Sequence, residues 1–260
     1  MKFSIETIHR LARKVKGSLG FNMKHNHLVS FLGILAALSL APGATRAAEV
    51  EGVAVAIVYD TSGSMRDPVR DGAGHQTPKY VIANRALQNI ASRIQTFATN
   101  ASGGAPRNIQ AGLFIFNGSG VRQAVKFGPF QADSFKNWAR KFSTPTGGTP
   151  LGKALEEAAK TVLHSGLTRK HVLIITDGIN TLGPAPDVVM PRVRRLAEAQ
   201  QTFVSTHFVA FDVDAGVFSG VKQLGATVVS AADETQLNQQ LQFILEKKIL
   251  LEDEEPPKKP

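Results

Sequence analysis

Six strand-like runs, most of them continuously apolar and set apart by amphipathic stretches, constrain this 260-residue chain more than any other feature. They are Gly52–Tyr59 (GVAVAIVY), Ile109–Phe116, Val121–Phe127, His171–Thr176 (HVLIIT), Phe203–Phe211 and Thr227–Ser230. Continuity of apolar character, as opposed to strict alternation, marks strands buried on both faces of a mostly parallel sheet. Helical patterns lie between them. Lys79–Ala98 carries Ile82, Leu87, Ile90, Ile94 and Phe97 along one face, and Leu151–His164 alternates an apolar stripe with charges. Further helices are predicted at Asp133–Phe142, Asp187–Gln201, Val217–Leu224 and Glu234–Lys248. Ile109–Phe116 and Val121–Phe127, joined through Asn117-Gly118-Ser119-Gly120, form a hairpin. The expected fold is therefore α/β: a doubly wound, mostly parallel six-stranded sheet with one antiparallel edge strand and helices on both faces. No internal repeat is present.

Charge points first toward nucleic acid, then away from it. The formal net charge is +9, but residues 1–47 hold seven basic groups and one acid, leaving about +3 for the rest. The basic balance thus belongs mostly to a leader. From Leu28 to Leu40 runs LVSFLGILAALSL, thirteen uncharged and mostly apolar residues. That is short for a bilayer span and right for the hydrophobic region of a secretory signal. Pro42-Gly43 follows, and small residues at Thr45 and Ala47 suit cleavage after Ala47. Met23 would start a leader of ordinary length. We therefore expect a signal peptide at 1–47, a folded domain at 48–250 and a flexible charged tail at 251–260 (EDEEPPKKP begins one residue into the tail). The expected location is exported, either periplasmic or secreted, with an uncleaved N-terminal membrane anchor as the alternative. Once the signal is removed, no membrane span and no nucleic-acid partner are expected. The chain has no cysteine, which excludes thiolate metal sites, cysteine nucleophiles and disulfides.

The chemistry concentrates in three places. The first strand runs into Asp60-Thr61-Ser62-Gly63-Ser64, a D-x-S-x-S arrangement. Thr146-Gly147-Gly148-Thr149-Pro150 offers Thr149 from a flexible loop just before a helix, and the fourth strand ends in Asp177-Gly178. Each feature alone has a local explanation, because Asp and Ser commonly end strands and cap helices. In a sheet ordered 3-2-1-4-5-6, however, strands one and four are neighbours at the switch point where ligands bind. Asp60, Ser62, Ser64, Thr149 and Asp177 would then meet in one crevice.

This combination resembles the von Willebrand factor A domain and its metal-ion-dependent adhesion site, over about residues 50–248. By that resemblance Ser62 and Ser64 bind a divalent cation directly, and Thr149 binds directly or through water. Asp60 and Asp177 act through water or by holding the hydroxyls. An all-oxygen donor set suits Mg²⁺, with Mn²⁺ or Ca²⁺ as alternatives. Neutral hydroxyls leave the ion's charge incompletely balanced, so it attracts an Asp or Glu carboxylate from a partner protein. The reading is a non-enzymatic binding module.

Other readings of the same residues are weaker. Gly147–Ala154 (GGTPLGKA) approaches a phosphate-binding loop, but Ala154 stands where a magnesium-binding hydroxyl is required and a helix, not a strand, precedes it. A Mg²⁺-dependent phosphatase-like hydrolase would want D-x-D, and Ser62 occupies the second acidic position. A scaffold with a purely structural metal is the third reading. His75, His164, His171 and His207 lie in no catalytic motif and are expected at the surface or at strand ends; Trp138 is expected to pack. Arg66–Pro78 reads as a solvated loop beside the site, and Arg192, Arg194 and Arg195 as a solvated helix face.

Overall fold

The computed structural model describes residues 49–99, 107–118 and 120–250. The predicted leader (1–47) and tail (251–260) lie outside them. The first strand, β1 (Val50–Tyr59), is buried on both faces from Val53 to Tyr59. Its partners are β4 (Ile109–Asn117) and β6 (Leu167–Thr176), both parallel to it. β7 (Ser205–Phe211) and β8 (Thr227–Ala231) extend the sheet beyond β6, again in parallel. β5 (Gly120–Pro129) pairs antiparallel with β4 and forms the opposite edge. The order β5-β4-β1-β6-β7-β8 is the 3-2-1-4-5-6 arrangement expected from the six runs. β1 and β6 therefore sit side by side at the centre, and their C-terminal ends open onto one crevice.

Side-chain alternation along β1 separates two cores. Val53, Val55, Ile57 and Tyr59 face a layer formed by α1 (Lys79–Thr99), α2 (Ala132–Lys141) and α6 (Glu234–Ile244). Ala54, Ala56 and Val58 face α3 (Leu151–Leu163) and α4 (Pro186–Ala199), with the short α5 (Ser219–Gln223) at the margin. Small side chains meet on that second face, where Ala154, Ala158 and Ala159 of α3 approach the alanines of β1. Trp138 packs as expected, stacked on Phe142 and edge-on to Tyr59.

Three local expectations are corrected. Arg66–Pro78 is not a plain loop: a 3-10 turn at Gly63–Arg66 leads into a small antiparallel ribbon of β2 (Pro68–Arg70) and β3 (Gln76–Pro78). The Asp71 carboxylate ties its tip together by accepting from the backbone N–H groups of Ala73 and His75 and from the Thr77 hydroxyl. The last helix remains α-helical only to Ile244, then widens into π-helical turns at Leu245–Leu250 that bury Leu245, Ile249 and Leu250. His171 and His207 are neither at the surface nor at strand ends. They lie in the interior of β6 and β7, on the face toward α1 and α6, 2% exposed each. Among the described residues no helix is long and apolar enough to cross a membrane.

Candidate metal centre

β1 delivers the first carboxylate. Asp60 continues the ladder one residue past the strand, its N–H donating to the Ile175 carbonyl at 3.0 Å. Its side chain is fully buried. Oδ1 accepts the Ser62 N–H at 2.8 Å, and Oδ2 accepts the Thr176 hydroxyl at 2.6 Å. Both oxygens are thus engaged by the protein, and the chain is turned so that the next two serine side chains face the same way. Burial, and after it the negative charge of Asp177, pushes the Asp60 carboxyl up to about 6. A carboxylate held at such a cost is one that a bound cation would favour in its ionised form.

The hydroxyls follow. Ser62 Oγ and Ser64 Oγ lie 3.1 Å apart, and the Ser64 hydroxyl donates to Asp177 Oδ1 at 2.9 Å. Ser62 is 2% exposed, whereas Ser64 is half-buried at the mouth of the crevice. Thr149 arrives from the loop before α3 and is 4% exposed. Its N–H donates to Thr181 Oγ1 at 2.7 Å and its carbonyl accepts the Thr181 N–H at 2.9 Å. Gly178 shows where the two hydroxyl sources meet: a Cβ on it would lie 3.9 Å from both Ser64 Oγ and Thr149 Oγ1.

Backbone bonds lock these loops together. Gly63 N–H donates to the Gly147 carbonyl at 3.0 Å, Thr146 N–H donates to the Thr61 carbonyl at 2.8 Å, and the Thr61 hydroxyl bonds the Phe116 carbonyl. Gly147 adopts φ +84°, and a Cβ there would stand 3.0 Å from Gly118 N, so glycine is required twice over. All five residues singled out in the sequence, Asp60, Ser62, Ser64, Thr149 and Asp177, are brought to one crevice.

Sequence reasoning missed several members of the same site. Thr176 buttresses Asp60, and Thr181 clamps Thr149. Lys79, the first residue of α1, is 5% exposed, with its ammonium 3.1 Å from Asp177 Oδ2 and 3.0 Å from Asp212 Oδ2. Burial pulls the Lys79 ammonium down, but bonds to Asp212 and the charge of Asp177 outweigh it and hold the group above its ordinary value. The signals for Thr176 and Thr181 were their positions flanking Asp177; Lys79 had no signal, being an ordinary residue at the start of an amphipathic helix.

The donor chemistry fits a hard divalent cation. Adjacent oxygens around an octahedral Mg²⁺ at 2.0–2.1 Å are separated by about 3 Å, close to the spacing of the two serine hydroxyls. Among the described residues no group of three or more His, Cys, Asp or Glu is placed to hold a metal, so the hydroxyls would have to supply much of the coordination. The oxygens gathered here are the hydroxyls of Ser62, Ser64 and Thr149 and carboxylates whose oxygens are already engaged by the protein.

Residues 54–242 match the family model of the von Willebrand factor type A domain. The uncharacterized protein YwmC of Bacillus subtilis (strain 168) is 26% identical over 210 residues, covering 74% of this chain and 82% of YwmC. Among solved structures, the PilB minor pilin of Streptococcus sanguinis superposes with a TM-score of 0.57 at 15% identity, over 75% of this chain and 60% of the pilin. Proximal thread matrix protein 1 of the mussel byssus, in a form with a zinc-occupied metal-ion-dependent adhesion motif, gives a TM-score of 0.52 at 17% identity, over 77% of this chain and 49% of that one. The chain therefore spans only about half to three-fifths of those two structures, and the likeness to them is one of fold. With the sheet order, the crevice and the family match in agreement, the chain belongs to the von Willebrand factor type A domain family.

Proposed function

We propose that this chain is an exported protein-binding module that captures an Asp or Glu side chain of a partner protein through a divalent cation held at the crevice. The observation that carries the reading is the imbalance of the donor set. Ser62, Ser64 and Thr149 present neutral hydroxyls, while Asp60 spends both oxygens on Ser62 N–H and Thr176 and Asp177 spends its own on Ser64 and Lys79. Ser62 and Ser64 would hold the ion directly, Thr149 directly or through water, and Asp60 and Asp177 through water or by orienting the hydroxyls. Mg²⁺ is the first choice, with Mn²⁺ or Ca²⁺ as alternatives. The ion would supply electrophilic attraction for an outside carboxylate.

The same geometry supports a non-enzymatic role. An aspartyl nucleophile needs a free, accessible oxygen, and Asp60 has neither: it is fully buried with both oxygens bonded. Export rests on the leader, with cleavage after Ala47, a domain at 48–250 and a tail at 251–260. The mature domain then meets its partner outside the cytoplasm, without nucleic acid and without a membrane span of its own.

The test is capture by the mature chain, immobilised and exposed to exported proteins with Mg²⁺ or with EDTA, beside Asp60→Ala and Ser64→Ala variants whose folding is checked by circular dichroism. Capture should require the cation and fail in both variants. Equal capture by the wild type in EDTA would overturn the reading.

A further inference from the structure

Lys79 carries a positive charge into a site built to hold a positive ion, and nothing in the donor set requires it. Its placement is specific. The Lys79 N–H donates to the Asp67 carbonyl at 3.0 Å, anchoring the start of α1 behind the β2–β3 ribbon. From there the side chain, 7% exposed, reaches across the sheet ends to bridge Asp177 after β6 and Asp212 after β7. Asp212 holds φ 54°, a left-handed conformation uncommon outside glycine, with its N–H donating to the Ala231 carbonyl at 2.7 Å. Its side chain is 41% exposed, so the bridge is buried at its Asp177 end and open to solvent at its Asp212 end.

Charge accounting gives the bridge a role. Asp60, Asp177 and Asp212 contribute three negative charges when ionised, and Lys79 contributes one positive. Lys79 thus lowers the negative charge around a bound ion by one, and the half-exposed Asp212 is screened by water, so the ion keeps part of its attraction for an outside carboxylate. Without Lys79 the loaded site would keep an excess negative charge, which holds a cation more firmly and repels an incoming carboxylate. The bridge also occupies Asp177 Oδ2, leaving Oδ1 to orient the Ser64 hydroxyl.

We infer that Lys79 is a positioning and charge-setting residue of the metal site: bridged between Asp177 and Asp212, it weakens the hold on the divalent cation and directs Asp177 toward Ser64. This rests on the crevice being a divalent-cation site. The consequence is opposite in sign to that of a structural residue. Losing a structural support weakens metal binding, whereas losing this ammonium strengthens it.

The experiment is titration of the metal-free mature protein with Mn²⁺ alone, followed by electron paramagnetic resonance of the free ion, in low-salt buffer at pH 7.5. Lys79→Met should bind Mn²⁺ about tenfold more tightly than wild type, a shift expected for removing one nearby like charge from a largely desolvated site. Lys79→Arg, which keeps the charge, should stay near the wild-type affinity. Asp212→Asn, a change at a half-exposed side chain whose folding is checked by circular dichroism, should move the other way and weaken binding several-fold. Unchanged or weaker binding by a folded Lys79→Met overturns the inference; if that variant does not fold, an Asp212→Asn affinity equal to wild type overturns it. A wild type that binds no Mn²⁺ refutes instead the underlying reading of the crevice as a metal site.

Discussion

Acidification from pH 7.5 to 4.5 should weaken the domain through the buried His171–His207 pair. His171 Nδ1 and His207 Nε2 are 3.3 Å apart, within reach of a ring-to-ring hydrogen bond whose direction depends on the tautomer. Their centroids stack at 5.6 Å, and the outer nitrogens, His171 Nε2 and His207 Nδ1, have no hydrogen-bond partner. Burial first, then the charges of His207 and Arg169, hold His171 well below the usual histidine range. Burial and the Lys248 ammonium push His207 down to about 4. In the unfolded chain both rings titrate near 6.5. Between about 6.5 and about 4 the unfolded state therefore binds protons that the folded state refuses, and the unfolding free energy falls as the pH falls. For His207 alone the loss is on the order of 3 kcal/mol, most of it reached by pH 4.5. His171 adds a term of the same sign.

Asp60 acts in the opposite sense, because its raised folded value lets the folded state take up a proton first. Wild-type stability alone therefore conceals the histidine effect, and a difference measurement is needed. His171→Leu/His207→Leu removes both rings and, with them, two unpartnered buried nitrogens, so at pH 7.5 the variant should match or exceed wild-type stability. Asp60 lies five residues beyond the His171 partner Val55 along β1, about 16 Å away, and its contribution cancels in the comparison. In urea unfolding, with a slope of about 2 kcal/mol per molar, the midpoint gap between variant and wild type should widen by about 1 M or more on going from pH 7.5 to 4.5. A gap that stays the same at both pH values would refute the assignment of two neutral, buried rings.

Two substitutions probe the scaffold around the crevice. Gly152→Ala places a methyl group against the Pro184 carbonyl and 3.0 Å from the Ala185 carbonyl carbon, where backbone leaves no room. It should cost roughly 1–3 kcal/mol, read as a lowered melting temperature, and should weaken the Gly152 N–H bond to Asn180. Tyr59→Phe removes the hydroxyl that donates to Asn84 Oδ1 at 2.8 Å and strands that oxygen in the core, at a cost of about 1–3 kcal/mol in denaturant unfolding. Because this bond lies beneath the sheet end, on the α1 side, the thermal shift on adding Mn²⁺ should be retained in Tyr59→Phe.

The strand order was readable because a strand buried on both faces must be apolar at every position, and GVAVAIVY and HVLIIT have no other comfortable place. Adjacency of the first and fourth strands then brought Asp60 and Asp177 together without any contact information. Local structure was less readable where polar residues dominate. The β2–β3 ribbon carries charge, glycine and proline, and it is held by Asp71 bonds that composition does not reveal. The histidines show the limit from another side. Period-two alternation puts His171 on the same face as Leu173 and Ile175, yet only the β6–β7 register, with Leu173 opposite His207, decides that the two rings meet.

What the sequence by itself determined is therefore the sheet, its switch point and the convergence there of Asp60, Ser62, Ser64, Thr149 and Asp177, because each is announced within a few residues by hydrophobic pattern or motif. What only the tertiary structure decided is the electrostatics around them. Lys79 begins a helix, Asp212 follows the fifth strand of the 3-2-1-4-5-6 order, and nothing near either residue foretells the other. The charge of a site is a sum over groups close in space, whereas a motif records only groups close along the chain. The folded chain alone places an ammonium 3.1 Å from the second carboxylate of the site.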